Sequence, residues 1–168
     1  VEVASDAQLK AALADAKPGD TIRIAPGAYR GGLHAPGLRG TKDRRIVITG
    51  ADPDKPPVIT GGSGLHLIDP AYVDIEHLVI EKSTANGLNI DDGGDMDQSA
   101  PSVKLRHLTV RDIGPEGNLD GIKLSGLTNF ELRDCTIERW GSGGSGIDMV
   151  GCGIGLIVDC TLKYKSDT

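Results

Sequence analysis

Aromatic side chains are scarce in this chain: one tryptophan, one phenylalanine and three tyrosines among 168 residues. A compact α/β enzyme usually builds its core with more large rings. No apolar run is long enough to cross a bilayer, so no membrane-spanning helix is expected and no membrane partner. Basic residues are outnumbered, 18 Lys and Arg against 24 Asp and Glu. The net charge of −6 argues against nucleic acid as a partner. Three cysteines are too few for a disulfide-framed fold, and none forms a Cys-x-x-Cys metal pair. No Ser-His-Asp arrangement and no phosphate-binding loop stands out. The chain opens at Val1 without a methionine or a signal-peptide pattern, which reads as a processed or trimmed start. Glycine, in contrast, is abundant at 24 residues. That suits many tight turns and stacked small side chains.

The glycines punctuate a repeat. "GLHAPG", "GLHLID", "GLNIDD", "GIKLSG" and "GIDMVG" share one frame, Gly-apolar-polar-apolar, with a different centre each time. A second pattern follows each of the later frames: "YVDIEHLVI", "SVKLRHLTV", "NFELRDCTI" and "GLIVDCTL". These end at Ile80, Val110, Ile137 and Leu162, spacings of 30, 27 and 25 residues. A period of about 25 residues with loops of variable length marks a solenoid. Alternation at period two with β-branched residues marks short strands. Aligned units give apolar columns. Leu33, Leu65, Leu88, Ile122 and Ile147 form one; Ala35, Leu67, Ile90, Leu124 and Met149 form another. Further columns run through Ile75, Leu105, Leu132 and Ile157, through Leu78, Leu108, Cys135 and Cys160, and through Ile80, Val110, Ile137 and Leu162. One coil cannot bury its apolar face alone; coils stacked at about 4.8 Å bury it continuously. The expected fold is all-β, a right-handed parallel β-helix of five to six turns forming a single domain over 1–168.

"DAQLKAALADAKPGD" predicts a capping helix over about 6–17, with Ser5 or Asp6 as N-cap, apolar Leu9, Ala12, Leu13 and Ala16 on one face, and Pro18-Gly19 as stop. Coils follow over about 21–165. The far end, "LKYKSDT", shows no cap, and an uncovered solenoid end is an aggregation hazard. The expectation is a longer native chain, or a partner covering that edge by self-association.

Between two inward residues the middle one points out. His34, His66, Asn89, Lys123 and Asp148 therefore form one outward column. Ser63, Asn86, Asp120 and Ser145, three residues earlier, are expected to lean outward beside it. Asp69, Asp92, Gly126 and Gly151 follow on the turn. This polar strip, flanked by loops such as "RDIGPEGNLD" and "ERWGSGGSG", is either a solvated face or a binding site; loops on a rigid scaffold favour the site. His34, His66, Asn89, Arg139 and Trp140 are its candidate substrate-binding residues. Trp140 would either stack on a sugar or cover the core.

The stretch "LKAALADAKPGDTIRIAPGAYRG" with "GTKDRRIVITGADPDKPPVITGGSGLHL" resembles the N-terminal part of secreted β-helix polysaccharide lyases, the family of chondroitinase B and alginate lyases. The resemblance covers roughly the first half of the chain. It implies β-elimination on an acidic polysaccharide, a secreted, periplasmic or cell-surface location, a lysine base, an assisting arginine on the next coil and a calcium ion held by Asn and Glu. A cation stabilises the developing enolate, and the base must shed its proton. Lys123 is the base this implies. Glu116 and Asn86 sit where the acidic and amide calcium ligands would. Asp148, not arginine, occupies the next outward position, and the family's second glutamate falls on Asn118. A carboxylate beside Lys123 favours its charged form.

"NIDDGGDMDQSAP" is acidic and flexible, as a hard-cation loop is, without the EF-hand spacing. Asp91 and Asp92 are its preferred ligands; a solvated acidic loop is the alternative. "NLDGI" resembles the Asn-x-Asp-Gly-Ile of polygalacturonases, which makes Asp120 and Asp148 candidate hydrolytic carboxylates. A non-catalytic carbohydrate-binding or structural β-helix module is the alternative of another class. His77, His107, Asp134 and Asp159 stack where coils bend and read as a turn ladder. Cys135 and Cys160 read as small buried hydrophobes whose one-coil separation would permit a disulfide.

Overall fold

A computed structural model describes residues 1–95, 98–114 and 116–164. Its strands are all parallel and stack as a β-helix in three long sheets. The first runs from Glu2–Val3 through Thr21–Ile24, Ile46–Gly50, Val73–Glu76, Val103–Arg106 and Phe130–Arg133 to Gly155–Val158. The second contains Ala28–Arg30, Val58–Thr60, Val79–Glu81, Thr109–Arg111, Thr136–Glu138 and Thr161–Lys163. The third contains Leu33–Pro36, Leu65–Ile68, Leu88–Asp91, Ile122–Ser125 and Ile147–Val150. The described chain thus completes five coils and two strands of a sixth. A small pair, Ala100–Pro101 with Leu127–Thr128, adds a fourth sheet at one corner.

The apolar columns fall in register. Leu88 lies between Leu65 and Ile122, and Ile90 between Leu67 and Leu124. Leu105 stacks on Ile75 and Leu132, and Val110 on Ile80 and Ile137. All of these are buried. Within the columns burial gives way in the last two coils: Met149, in the fifth, is 48% exposed, and Ile157 and Leu162, in the sixth, are similarly open. At the other end the helix Asp6–Asp15 buries Leu9 and Leu13 against the first coil, and the Ser5 side chain caps it by accepting from Gln8 N–H. The helix is shorter than the sequence predicts. Ala16 already leaves helical geometry, ahead of Lys17, which Pro18 pushes out of the α region. Glu2–Val3, too short to carry a pattern, was not foreseen as a strand.

Two devices make the bends. His77, His107, Asp134 and Asp159 all adopt φ between 51° and 54°. Few side chains tolerate that region, and His, Asp and Asn are enriched in it. Their amides bond coil to coil: His77 N–H to Arg106 O at 3.2 Å, His107 N–H to Arg133 O at 3.1 Å. The two imidazoles stack at 4.7 Å. The second device is the frame glycine. Leu65 N–H donates to Gly87 O at 3.1 Å, Leu88 N–H to Gly121 O at 3.0 Å, and Ile122 N–H to Gly146 O at 2.9 Å. A Cβ on Gly121 would sit 2.4 Å from Ile137 Cγ2 and 2.7 Å from Gly146 O. The frame is constant because the next coil occupies that space. Among the described residues no helix is long and apolar enough to cross a membrane.

Gly121→Ala is therefore expected to destabilise by about 1–3 kcal/mol, the usual cost of overpacking, read as a lower urea midpoint. An unchanged midpoint would contradict the close approach.

Candidate functional site

The outward column exists as a register. His34 pairs with His66, His66 with Asn89, Asn89 with Lys123, and Lys123 with Asp148. Each occupies the centre of a strand whose flanking residues point into the core. His34 is exposed and the other four are half-buried. The His34 and His66 rings meet edge to face at 5.5 Å, and His34 Nε2 lies 3.5 Å from Ser63 Oγ. His66 Nε2 donates to Asp91 Oδ2 at 2.5 Å, a cross-coil pair that sequence reasoning missed. Asp91 pairs in register with Ile68, not His66, so only the side-chain paths bring the two together. Asn89 Oδ1 is buried without a hydrogen-bond partner; nothing in the sequence signals that.

Lys123 is the best-tied member. Its Nζ donates to Asp148 Oδ2 at 2.6 Å and lies 3.7 Å from Asp120 Oδ2. The Asp148 hydrogen bond, opposed by partial desolvation and helped by the charge of both aspartates, holds the ammonium above the ordinary lysine value. Asp120 corrects the sequence reading. It was expected to lean outward and is instead 3% exposed. Neighbouring loops explain this: Ser145 N–H donates to Asp120 Oδ1 at 2.8 Å, and Asp120 N–H donates to Asn86 Oδ1 at 2.8 Å. A buried carboxylate is tolerated when donors surround it. Asn86, Asp120, Lys123, Ser145 and Asp148 are thus one connected network across three coils.

Arg139 does not join it. This side chain is committed to Asp112, 2.5 Å from Nε to Oδ1, and to Glu138. These carboxylates raise the guanidinium further, and Arg139 in turn lowers Asp112 below the usual carboxylate range. Trp140 is partly buried against the core, with its ring 5.3 Å from that of Tyr164.

The foreseen calcium ligands are scattered. Asp91 serves His66 and accepts from Gly93 N–H at 2.9 Å. Asp92 accepts from Gly94 N–H at 2.9 Å and crowds Gly126, whose Cβ would lie 1.8 Å from Asp92 Oδ2. Asn86 is in the Asp120 network, and Glu116 is exposed on its loop. Asp97, in the same acidic insertion, lies outside the described residues. Among the described residues no three His, Cys, Asp or Glu side chains converge as metal ligands would. Asp69 is tied to Arg39. The strip as a whole carries more carboxylates than cations.

No protein-family model matches the chain, and no curated protein sequence matches it. Its structure is similar to an alginate lyase from Paenibacillus sp. str. FPU-7, at 20% identity and a TM-score of 0.56, over 90% of this chain and 65% of that one. It also aligns with the PL6 family alginate lyase AlyGC, at 16% identity and a TM-score of 0.44, over 92% of this chain and 30% of that one. The chain spans 65% of the length of the Paenibacillus lyase. At such identity the likeness is one of fold: this is a parallel β-helix of the kind on which that polysaccharide lyase is built.

The raised Lys123 has a signed consequence. Its ion pair contributes stability in full below the ordinary lysine value of about 10.4 and loses it as pH climbs through the raised value. Asp148→Asn is expected to make Lys123 react faster with acetic anhydride in alkaline buffer, read by peptide mass spectrometry. Equal rates would show that Asp148 does not hold the proton on.

Proposed function

We propose that this chain is a secreted carbohydrate-active protein that binds a uronate-containing polysaccharide along the third sheet and cleaves it by β-elimination. The observation that carries the reading is the register: one outward polar side chain per coil, five in succession, on a rigid sheet. A linear ladder of donors and acceptors suits a linear polymer with repeating hydroxyls and carboxylates. The fold likeness to an alginate lyase supports the substrate class.

β-Elimination removes the proton beside the uronate carboxylate and expels the glycosidic oxygen, leaving a carbon–carbon double bond. Lys123 is the amine of the column and the proton acceptor in this reading. Asp148 and Asp120 favour its charged form, so the rate should climb with pH well into the alkaline range. Asp148→Asn should move that climb to lower pH. No step is routed through calcium. His66, braced by Asp91, and Asn89 position the chain of sugars. The same ion pair favours a second reading: a lysine already neutralised by two carboxylates binds sugar without attacking it, and the protein is a non-catalytic module. The buried Asp120 weighs against a hydrolase needing an accessible carboxylate.

Alginate, pectate and dermatan sulfate, each with calcium and then with chelator, test this by the ultraviolet absorbance of the unsaturated product. A rise that falls by about 10²–10⁴-fold in Lys123→Ala is the expected result. Polymer binding without product would establish the binding module, and new reducing ends without absorbance would establish hydrolysis.

A further inference from the structure

Cys135 and Cys160 occupy equivalent places on successive coils, just ahead of Thr136–Glu138 and Thr161–Lys163, whose first residues pair directly. Thr161 N–H donates to Cys135 O at 2.9 Å. Each thiol lies against a carbonyl of its own strand, and Cys135 Sγ also lies 3.6 Å from Leu105 O on the coil before. Cys135 Sγ donates to Arg133 O at 3.4 Å, and Cys160 Sγ to Val158 O at 3.4 Å, each two residues back. Adjacent strands lie about 4.8 Å apart, inside the Cα window of about 4.4–6.8 Å that a disulfide requires. Both thiols are free in this structure. Cys135 is buried, while Cys160 is only partly covered.

We propose that Cys135 and Cys160 form an oxidisable pair whose disulfide staples the fifth coil to the sixth. The bond would close the loop that carries Arg139, Trp140 and Asp148, and so would fix the coil supplying the partner of Lys123. A small disulfide such as oxidised glutathione is the oxidant. The Cys160 thiolate attacks one of its sulfurs and expels a glutathione thiolate, giving a mixed disulfide. Cys135 then loses its proton to solvent and attacks the Cys160 sulfur, expelling the second glutathione thiolate. Two protein thiols become one disulfide, and the oxidant is reduced to two thiols. Burial, reinforced by the neighbouring Cys160, pushes the Cys135 thiol up to about 12, so Cys160 attacks first and closure is the slow step.

The test is oxidation of the folded chain with oxidised glutathione, alkylation of remaining thiols, and non-reducing tryptic digestion. Cleavage after Arg133, Arg139 and Lys163 places Cys135 in peptide 134–139 and Cys160, with Cys152, in peptide 140–163. The expected result is these two peptides joined, still joined in Cys152→Ser and separate in Cys160→Ser. The oxidised wild type should also melt about 5–10 °C higher than the reduced one, as expected for closing a loop of this size. Recovery of Cys135 in alkylated form, a cross-link to Cys152, or a mixed disulfide on Cys160 that never closes would each overturn the proposal. Fragmentation of the joined wild-type peptides, which locates the alkylated cysteine at 152 or at 160, decides the matter even if a serine variant fails to fold.

Discussion

The structure rests on how closely one coil can approach the next. Each frame glycine offers its carbonyl to the coil before it, and its own missing side chain leaves room for the coil after it. That contact sets the register. A one-residue slip would turn every inward Leu and Ile outward, so the whole apolar column holds the register in turn. Five coils share the arrangement, which makes the stack cooperative between neighbours and nearly independent of distant ones. Among the described residues the exposed apolar side chains gather on the last coils.

The same constraint builds the candidate site. Because the core dictates Leu, Ile and Gly around each central position, only the centre is free to vary, and stacking puts the centres in line. Chemistry then depends on which centres are neighbours. Lys123 falls beside Asp148 and above the buried Asp120, so it is a stabilised cation. His66 reaches Asp91 and is held in one orientation. Apart from Asn89, whose Oδ1 has no partner, the column is a set of paired groups, and any ligand must compete with those pairs or exploit their fixed geometry.

Much of this was legible in the sequence because it follows from periodicity. The period-two columns, the outward series and a helix cap at Ser5 or Asp6 all follow from local rules. The bends were legible too: His77, His107, Asp134 and Asp159 are residue types that accept positive φ. What escaped depends on loops and side-chain paths. Asp120 looked outward by its offset from Lys123, yet the Ser145 amide and the Asn86 carboxamide arrive from other coils and bury it. Asp91 and His66 meet diagonally, which no column alignment predicts. Glu2–Val3 is too short for any pattern and becomes a strand only because Arg23 and Ile24 lie beside it.

The central claim is that the register-aligned column is the polymer-binding face. A crystal structure with a uronate oligosaccharide tests it most directly. The account predicts sugar density running along the third sheet, in contact with His34, His66, Lys123 and Asp148. Density on the opposite sheets, or on the open last coil alone, would contradict it.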